Sequence, residues 1–148
     1  MDHIDAADVV LFVYDPHRVL HVLTITRRWD PFQGRKALPG GHIDPGEAPH
    51  VAAARELVEE TGIRVPDTLL IPVGVYDAPG RDPRSDRYRS FAYTLTTATM
   101  HTPTAADDAL TAEWTPLPKI YANRNSMAFD HRAIVLDAAN NLGPVRAV

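Results

Sequence analysis

The chain has 148 residues, 45% hydrophobic and 23% charged, which suits a single globular domain with a core of its own. Its net charge of -4 excludes a broadly basic nucleic-acid binder, although local charge can still favour an anionic small molecule. With no cysteine, disulfide scaffolds, thiolate metal sites and cysteine nucleophiles are excluded, and no apolar run approaches the roughly 18 residues of a membrane span.

The first eight residues carry acids and no basic stretch ahead of an apolar run, unlike a signal peptide. A soluble cytoplasmic protein, with no membrane partner, is therefore expected. Val9 to Tyr14 and Val19 to Arg27 read as two strands joined at the turn Asp15-Pro16-His17-Arg18. Arg27 to Lys36 reads as a loop. Leu38-Pro39-Gly40-Gly41 cannot lie inside a helix, and Asp44-Pro45-Gly46 is a further turn. A helix is predicted over about Pro49 to Thr61, with proline at its first position and Gly62 at its end. Val51, Ala54 and Val58, with Leu57 beside them, form its apolar stripe.

Leu69 to Tyr76 and Ser90 to Thr97 read as strands around a long loop, Asp77 to Arg89. Thr102 to Ala112 carries no clear pattern. Glu113 to Leu117 suits a short strand, and Met127 to Ala139 a helix stopped by Asn140, Asn141 and Gly143. Mixed strands and helices around one core give an α/β or α+β layered domain over residues 1–148.

The first helix holds Arg55, Glu56, Glu59 and Glu60. Positions i, i+3 and i+4 share a face, so three carboxylates converge and repel one another. Arg55 can pair with Glu59, which leaves Glu56 and Glu60 close together. A hard divalent cation is the natural remedy, because Mg²⁺ takes carboxylate, carbonyl and water oxygens and shares its shell with substrate phosphates. For an isolated Glu-x-x-Glu-Glu, a solvated acidic face is the better reading. Here the context is GHIDPGEAPHVAAARELVEETGI, Gly41 to Ile63. This segment resembles the Nudix box at Gly41, Glu47, Arg55, Glu56, Leu57, Glu59, Glu60, Gly62 and Ile63. The preceding VLTITRRWDPFQGRKALPGG is also similar to that family.

The resemblance implies a Nudix-type α/β/α sandwich around a mixed sheet and a Mg²⁺-dependent pyrophosphohydrolase, with Mn²⁺ as an alternative metal. Glu56, Glu60 and the Gly41 carbonyl would bind the metal, and Glu59 would do so directly or through water. Arg55 would orient the glutamates, and Glu47 would brace the loop. Metal ions neutralise pyrophosphate oxygens and acidify bound water, and a carboxylate takes its proton. The candidates for that base are Asp108, Asp107 and Glu113 downstream, or Glu56 or Glu59 within the box. Asp108 lies six residues before Trp114, a spacing similar to a downstream acidic ligand of some members.

The loop Gly80-Arg81-Asp82-Pro83-Arg84 and the later Phe129-Asp130-His131 resemble the ADP-ribose pyrophosphatase group of that family. Arg81 and Arg84 have forked donors suited to phosphate or ribose hydroxyls. The bland alternative is a surface loop whose charges cancel in solvent. Arg28 and Trp29, beside Arg27 and Phe32, offer a phosphate ligand and a ring for stacking on a base. The seven histidines show no metal-ligand spacing and read as surface or core residues.

The expected substrate is a small nucleotide, ADP-ribose first, giving AMP and ribose 5-phosphate. The rivals are a hydrolase of oxidised nucleoside triphosphates, a non-catalytic ADP-ribose sensor, and a protein-binding module. Sensors that resemble this chain append a DNA-binding domain, and only Asn140 to Val148 follow the last expected helix, so no nucleic-acid partner is expected. All box glutamates are present, which favours catalysis. Many members of the family are homodimers, and that state remains open for this chain.

Overall fold

A computed structural model describes residues 2–148. Its central strand, β1 (Ile4–Tyr14), is buried on both faces. Ala7, Val9 and Leu11 point to one side, and Val10 and Phe12 to the other, as the two-residue period of a strand requires. A strand covered on both faces needs a layer on each side. α1 (Pro49–Thr61) covers one face, closing a core of Val9, Leu11, Leu23, Ala53, Leu57 and Leu95. α2 (Leu117–Ala122) and α3 (His131–Ala139) cover the other, over Val10, Phe12, Val22, Ile120, Ile134 and Val135. The result is the α/β/α sandwich expected from the sequence.

Among the described residues the sheet has eight strands. β2 (Leu20–Arg27) pairs antiparallel with β1, and β6 (Tyr88–Thr97) pairs parallel with it over ten residues, Ile4↔Tyr88 to Val13↔Thr97. The sheet is therefore mixed. β5 (Ile71–Tyr76) borders β6, and β7 (Ala109–Pro116) and the short β3 (Lys36–Ala37) border β2. β4 (Gly40–His42) lies antiparallel to the start of β1, setting Gly40 opposite Asp8 and Gly41 opposite Ala7. β8 (Val145–Arg146) pairs with the end of β6.

Four expectations change. β1 starts at Ile4 rather than Val9, because its acidic early residues find partners: Asp5 holds both arms of Arg89 at 2.9 and 3.0 Å across the β1–β6 pair. The strand expected at Glu113 to Leu117 begins at Ala109, and Leu117 instead opens α2, which was not anticipated. α3 begins at His131 rather than Met127. The four residues before it turn along β3, where the Ala128 N–H donates to Lys36 O at 2.7 Å and Phe129 takes a left-handed φ of 51°. Finally, α1 buries Ala52, Ala53, Leu57, Glu60 and Thr61, while Val51 is exposed. Two alanines let the helix approach the sheet closely, and that approach carries Glu60 into the interior.

The face α1 presents is testable by unfolding. Leu57→Ala should lower the unfolding free energy by about 2–5 kcal/mol, as expected for a fully buried leucine. Val51→Ala, on the exposed side of the same helix, should change it by less than about 0.5 kcal/mol. Urea titrations of both variants measure the contrast, and equal losses would mean the helix is turned otherwise.

Candidate active site

The helix that carries the glutamates is held to its glycine turn by Arg55. Its Nε and Nη2 donate to the two oxygens of Glu47 at 2.8 and 2.9 Å. Nη1 donates to Glu56 Oε1 at 3.0 Å and to both oxygens of Glu59 at 3.2 and 3.1 Å, and Nη2 reaches His42 O at 3.0 Å. Glu47 also accepts the Asp44 N–H, so it closes the turn ahead of the helix. The Arg55 guanidinium holds the Glu47 carboxyl down at about 2.

Glu56 and Glu60 lie differently. Glu60 is buried, and among the described residues its carboxylate accepts one hydrogen bond, from the Gly40 N–H at 2.8 Å. Burial, then the charges of Glu56, Asp108 and Asp8, push its carboxyl up to about 8 despite that bond. Burial raises Glu56 to about 6 against the pull of Arg55. The turn comes close enough to touch them. A Cβ on Gly41 would sit 2.6 Å from the Glu56 carboxyl, and one on Gly40 would sit 2.2 Å from Asp8 Oδ1. Neither glycine has a positive φ, so it is space that excludes a side chain at both positions.

This arrangement fits a hard cation. Its oxygens are charged, crowded and partly desolvated, with Arg55 and one amide as their only direct hydrogen-bond donors. Among the described residues no three His, Asp or Glu side chains close around one point. A cation would thus draw on Glu56, Glu60 and the Gly41 carbonyl, and complete its shell with water and phosphate oxygens.

These groups line a cleft of about 410 Å³. The same cleft has a basic and aromatic lining of Arg27, Arg28, Trp29, Arg84, Tyr88 and Phe129. Arg84 lies 4.1 Å from the centroid of Tyr88 and pairs with the buried Asp82 through two bonds of 3.0 and 2.7 Å. Arg27 lies over Phe129 at 4.9 Å and spends Nε on Pro31 O. Burial and the neighbouring Arg84 both lower its pKa, the signature of two cations facing one space. The Phe129 ring is fixed by Phe32, edge-on at 4.8 Å, and both residues have positive φ.

The structure brings Gly41, Glu56, Glu60, Arg28, Trp29, Arg81, Arg84 and Asp108 to this one cleft. Trp29 stands at its rim, 61% exposed. Glu59 is turned onto Arg55 and borders a shallow groove on the outer face of the helix instead. Asp107 adjoins the cleft only through its carbonyl, which accepts Arg28 Nε at 3.1 Å. Glu113 pairs with Lys36 on the sheet and does not line the cleft. The threonine- and proline-rich segment before Asp108, expected to be mobile, is tied to α1: the Thr104 N–H donates to Thr61 O at 2.8 Å and the Ala106 N–H to Glu60 O at 3.2 Å.

Sequence reasoning missed Asp8 and Tyr88. Asp8 is buried in the floor beside Gly40, and its Oδ2 has no hydrogen-bond partner among the described residues. Burial raises its carboxyl above the ordinary range, against the charge of Arg81. The only sequence signal was an acid inside an apolar strand. Asp130 and His131 stood out in the sequence only as part of a resemblance, with no role at the site.

The raised carboxylates make stability depend on pH. Glu60 keeps its proton up to about 8 when folded, against an ordinary value of 4.5, as Glu56 does to about 6. Between these limits the folded state holds protons that the unfolded chain has released, so stability falls as pH rises from about 5 to 8 in chelator. Glu60→Gln should flatten most of that fall. Denaturation midpoints at pH 5 and pH 8, with EDTA, check this; an unchanged slope in the variant would remove Glu60 as its source.

Several known proteins resemble this chain in sequence and fold. A protein of Methanocaldococcus jannaschii named ADP-ribose pyrophosphatase is 39% identical over 116 residues, 78% of this chain, and the chain spans only 64% of that relative's length. The Nudix domain of Shewanella oneidensis NrtR, solved in complex with ADP-ribose, superposes with a TM-score of 0.85 at 26% identity, covering 97% of this chain and 90% of the other. A bifunctional NMN adenylyltransferase/ADP-ribose pyrophosphatase of Francisella tularensis, solved with AMP and a Mn ion, gives 0.81 at 29% identity, covering 95% of this chain and 42% of the other. A family model described as the NUDIX domain matches residues 4–138, and the chain belongs to the Nudix family.

Proposed function

We propose that this protein hydrolyses the pyrophosphate linkage of ADP-ribose, giving AMP and ribose 5-phosphate, with Mg²⁺ or Mn²⁺ as cofactor. The observation that carries the reading is one cleft with two kinds of lining. Crowded carboxylates and arginines with aromatic faces border the same space. A nucleoside diphosphate sugar has the matching parts: a diphosphate to share with a cation, and a base and sugars to stack and hydrogen-bond. The named activity of the archaeal relative and the ADP-ribose bound by the NrtR domain support the same ligand.

In this reading Glu56, Glu60 and the Gly41 carbonyl would hold the cation, while Glu59, turned onto Arg55, would steady the guanidinium that orients them. When bound, the cation would supply neutralisation of phosphate charge and acidification of water. Asp108, which lines the same cleft, accepts the proton of the attacking water as its oxygen bonds to phosphorus and the phosphoanhydride bond breaks, without a covalent adduct. Arg84 and Arg28 grip the diphosphate or ribose, and Trp29 stacks on the base. Arg81 is 6% exposed and locked on Asp130, so its part is to hold the loop.

A second reading is a binding module for the same ligand, favoured by the TM-score of 0.85 to the NrtR domain. Turnover decides. With Mg²⁺, purified protein should cleave ADP-ribose faster than other nucleoside diphosphate sugars, dinucleotides or oxidised triphosphates. Binding without cleavage in Mg²⁺ and in Mn²⁺ would select the module.

Glu60→Gln and Glu56→Gln should each nearly abolish turnover while circular dichroism stays native. Arg84→Ala should raise KM with kcat little changed, the mark of binding shared by ground and transition states. Asp108→Asn should instead lower kcat by about 10²–10⁴-fold, with Asp107→Asn close to wild type. Steady-state kinetics on the four variants separate these roles, and an Asp108→Asn enzyme of normal kcat would return the base to Glu56 or Glu59.

A further inference from the structure

Two adjacent residues before and at the start of α3 grip two different segments that line the cleft. Asp130 accepts Nε and Nη2 of Arg81 at 2.8 and 2.7 Å, and Arg81 belongs to the arginine loop. The Arg81 side chain is nearly out of water, so the fork is fixed in direction as well as distance. His131, also buried, accepts the Leu38 N–H at Nδ1, 2.9 Å away. Leu38 opens the turn whose Pro39 carbonyl accepts the Val9 N–H and whose Gly40 N–H holds Glu60.

The imidazole can accept at Nδ1 only when that nitrogen is unprotonated. Burial lowers its pKa, and the bond accepted from Leu38 leaves Nε2 as the nitrogen that carries the ring's proton. Nε2 faces Asp8 Oδ2 at 3.9 Å, the buried oxygen with no hydrogen-bond partner among the described residues. A carboxylate on that side favours the proton at Nε2, which leaves Nδ1 free for Leu38.

We infer that Asp130 and His131 are positioning residues that together fix two segments of the cleft lining, the arginine loop and the glycine turn. His131 acts through Leu38 and Gly40 on the glutamates, and Asp130 acts through Arg81 on the arginine loop. The inference rests on the reading above, in which the glutamates take a divalent cation and the arginine loop takes the rest of a nucleoside diphosphate sugar. It has a specific consequence. Neighbours in sequence, one residue apart, fail in different ways: loss of the His131 acceptor disturbs the cation site, and loss of the Asp130 fork disturbs substrate binding.

The test compares His131→Asn, His131→Gln and Asp130→Asn with wild type. Asparagine places its carbonyl near the position of Nδ1, and glutamine places one near Nε2, so both stay polar but only the first can accept from Leu38. Mn²⁺ affinity is read from the electron paramagnetic resonance of free Mn²⁺, KM and kcat with ADP-ribose, and folding by circular dichroism. His131→Gln should weaken Mn²⁺ binding at least about tenfold and lower kcat, with His131→Asn within about threefold of wild type. Asp130→Asn should raise KM about tenfold or more while Mn²⁺ binding stays within about threefold. A glutamine variant equal to or better than the asparagine variant overturns the role of Nδ1. An Asp130→Asn protein that loses Mn²⁺ affinity overturns the division of labour. Wild-type protein that binds Mn²⁺ but leaves ADP-ribose intact refutes the functional reading alone, and the Mn²⁺ comparison of the histidine variants still decides the positioning claim. Wild-type protein that binds no Mn²⁺ overturns both.

Discussion

Two carboxylates kept out of water on one helix face set the terms for the rest of the molecule. Glu56 and Glu60 repel each other, and burial weakens the solvent that would screen them. A fold of marginal stability tolerates this only where the surroundings are over-determined. Arg55 supplies that on one side, tying four carbonyl or carboxylate groups to a single guanidinium. On the other side the sheet presents two glycines where any side chain would strike a carboxylate. The core packing of α1 on β1, through alanines and Leu57, brings these parts to contact distance.

The cleft joins two unlike sets of charge. Glu56 and Glu60 crowd negative charge, and Arg27 and Arg84 crowd positive charge over Phe129 and Tyr88. Each set favours a ligand part of opposite sign, so a molecule bearing both a bound cation and its own anionic groups suits the whole cleft better than one bearing either alone. Such complementarity needs no large net charge, which explains how a chain of net charge -4 suits an anionic ligand.

The glutamate end was legible in the sequence because it is local. One turn and one helix hold Gly41 to Ile63, and helical geometry fixes the relation of Glu56 to Glu60 at their spacing. The part played by Asp8, Asp130 and His131 was not legible. They meet only because β4 folds back on β1 and α3 packs over the same sheet, relations between segments roughly 30 to 120 residues distant. The helix stripe was misread for a related reason. Periodicity shows that a helix has an apolar side, but Ala52 and Ala53 outcompete the larger Val51 for the sheet because closeness, not size, decides there. The loop before Asp108 looked loose by composition, yet its backbone finds partners at the end of α1 that only the assembled fold supplies.

The parallel pairing of β1 with β6 sets an order of events during synthesis. Asp5 and Arg89, which meet across that pair, are 84 residues apart in the chain. At about 5–20 residues per second, the first strand leaves the ribosome several seconds before its main partner exists. Through that interval it can make a hairpin with β2, but its far edge, a run of Val9, Val10, Leu11 and Phe12, stays unpaired. Non-local strand pairing of this kind is slow and exposes apolar edges to other chains. Whatever shields the newborn first strand therefore bears on how much of the chain reaches the finished fold.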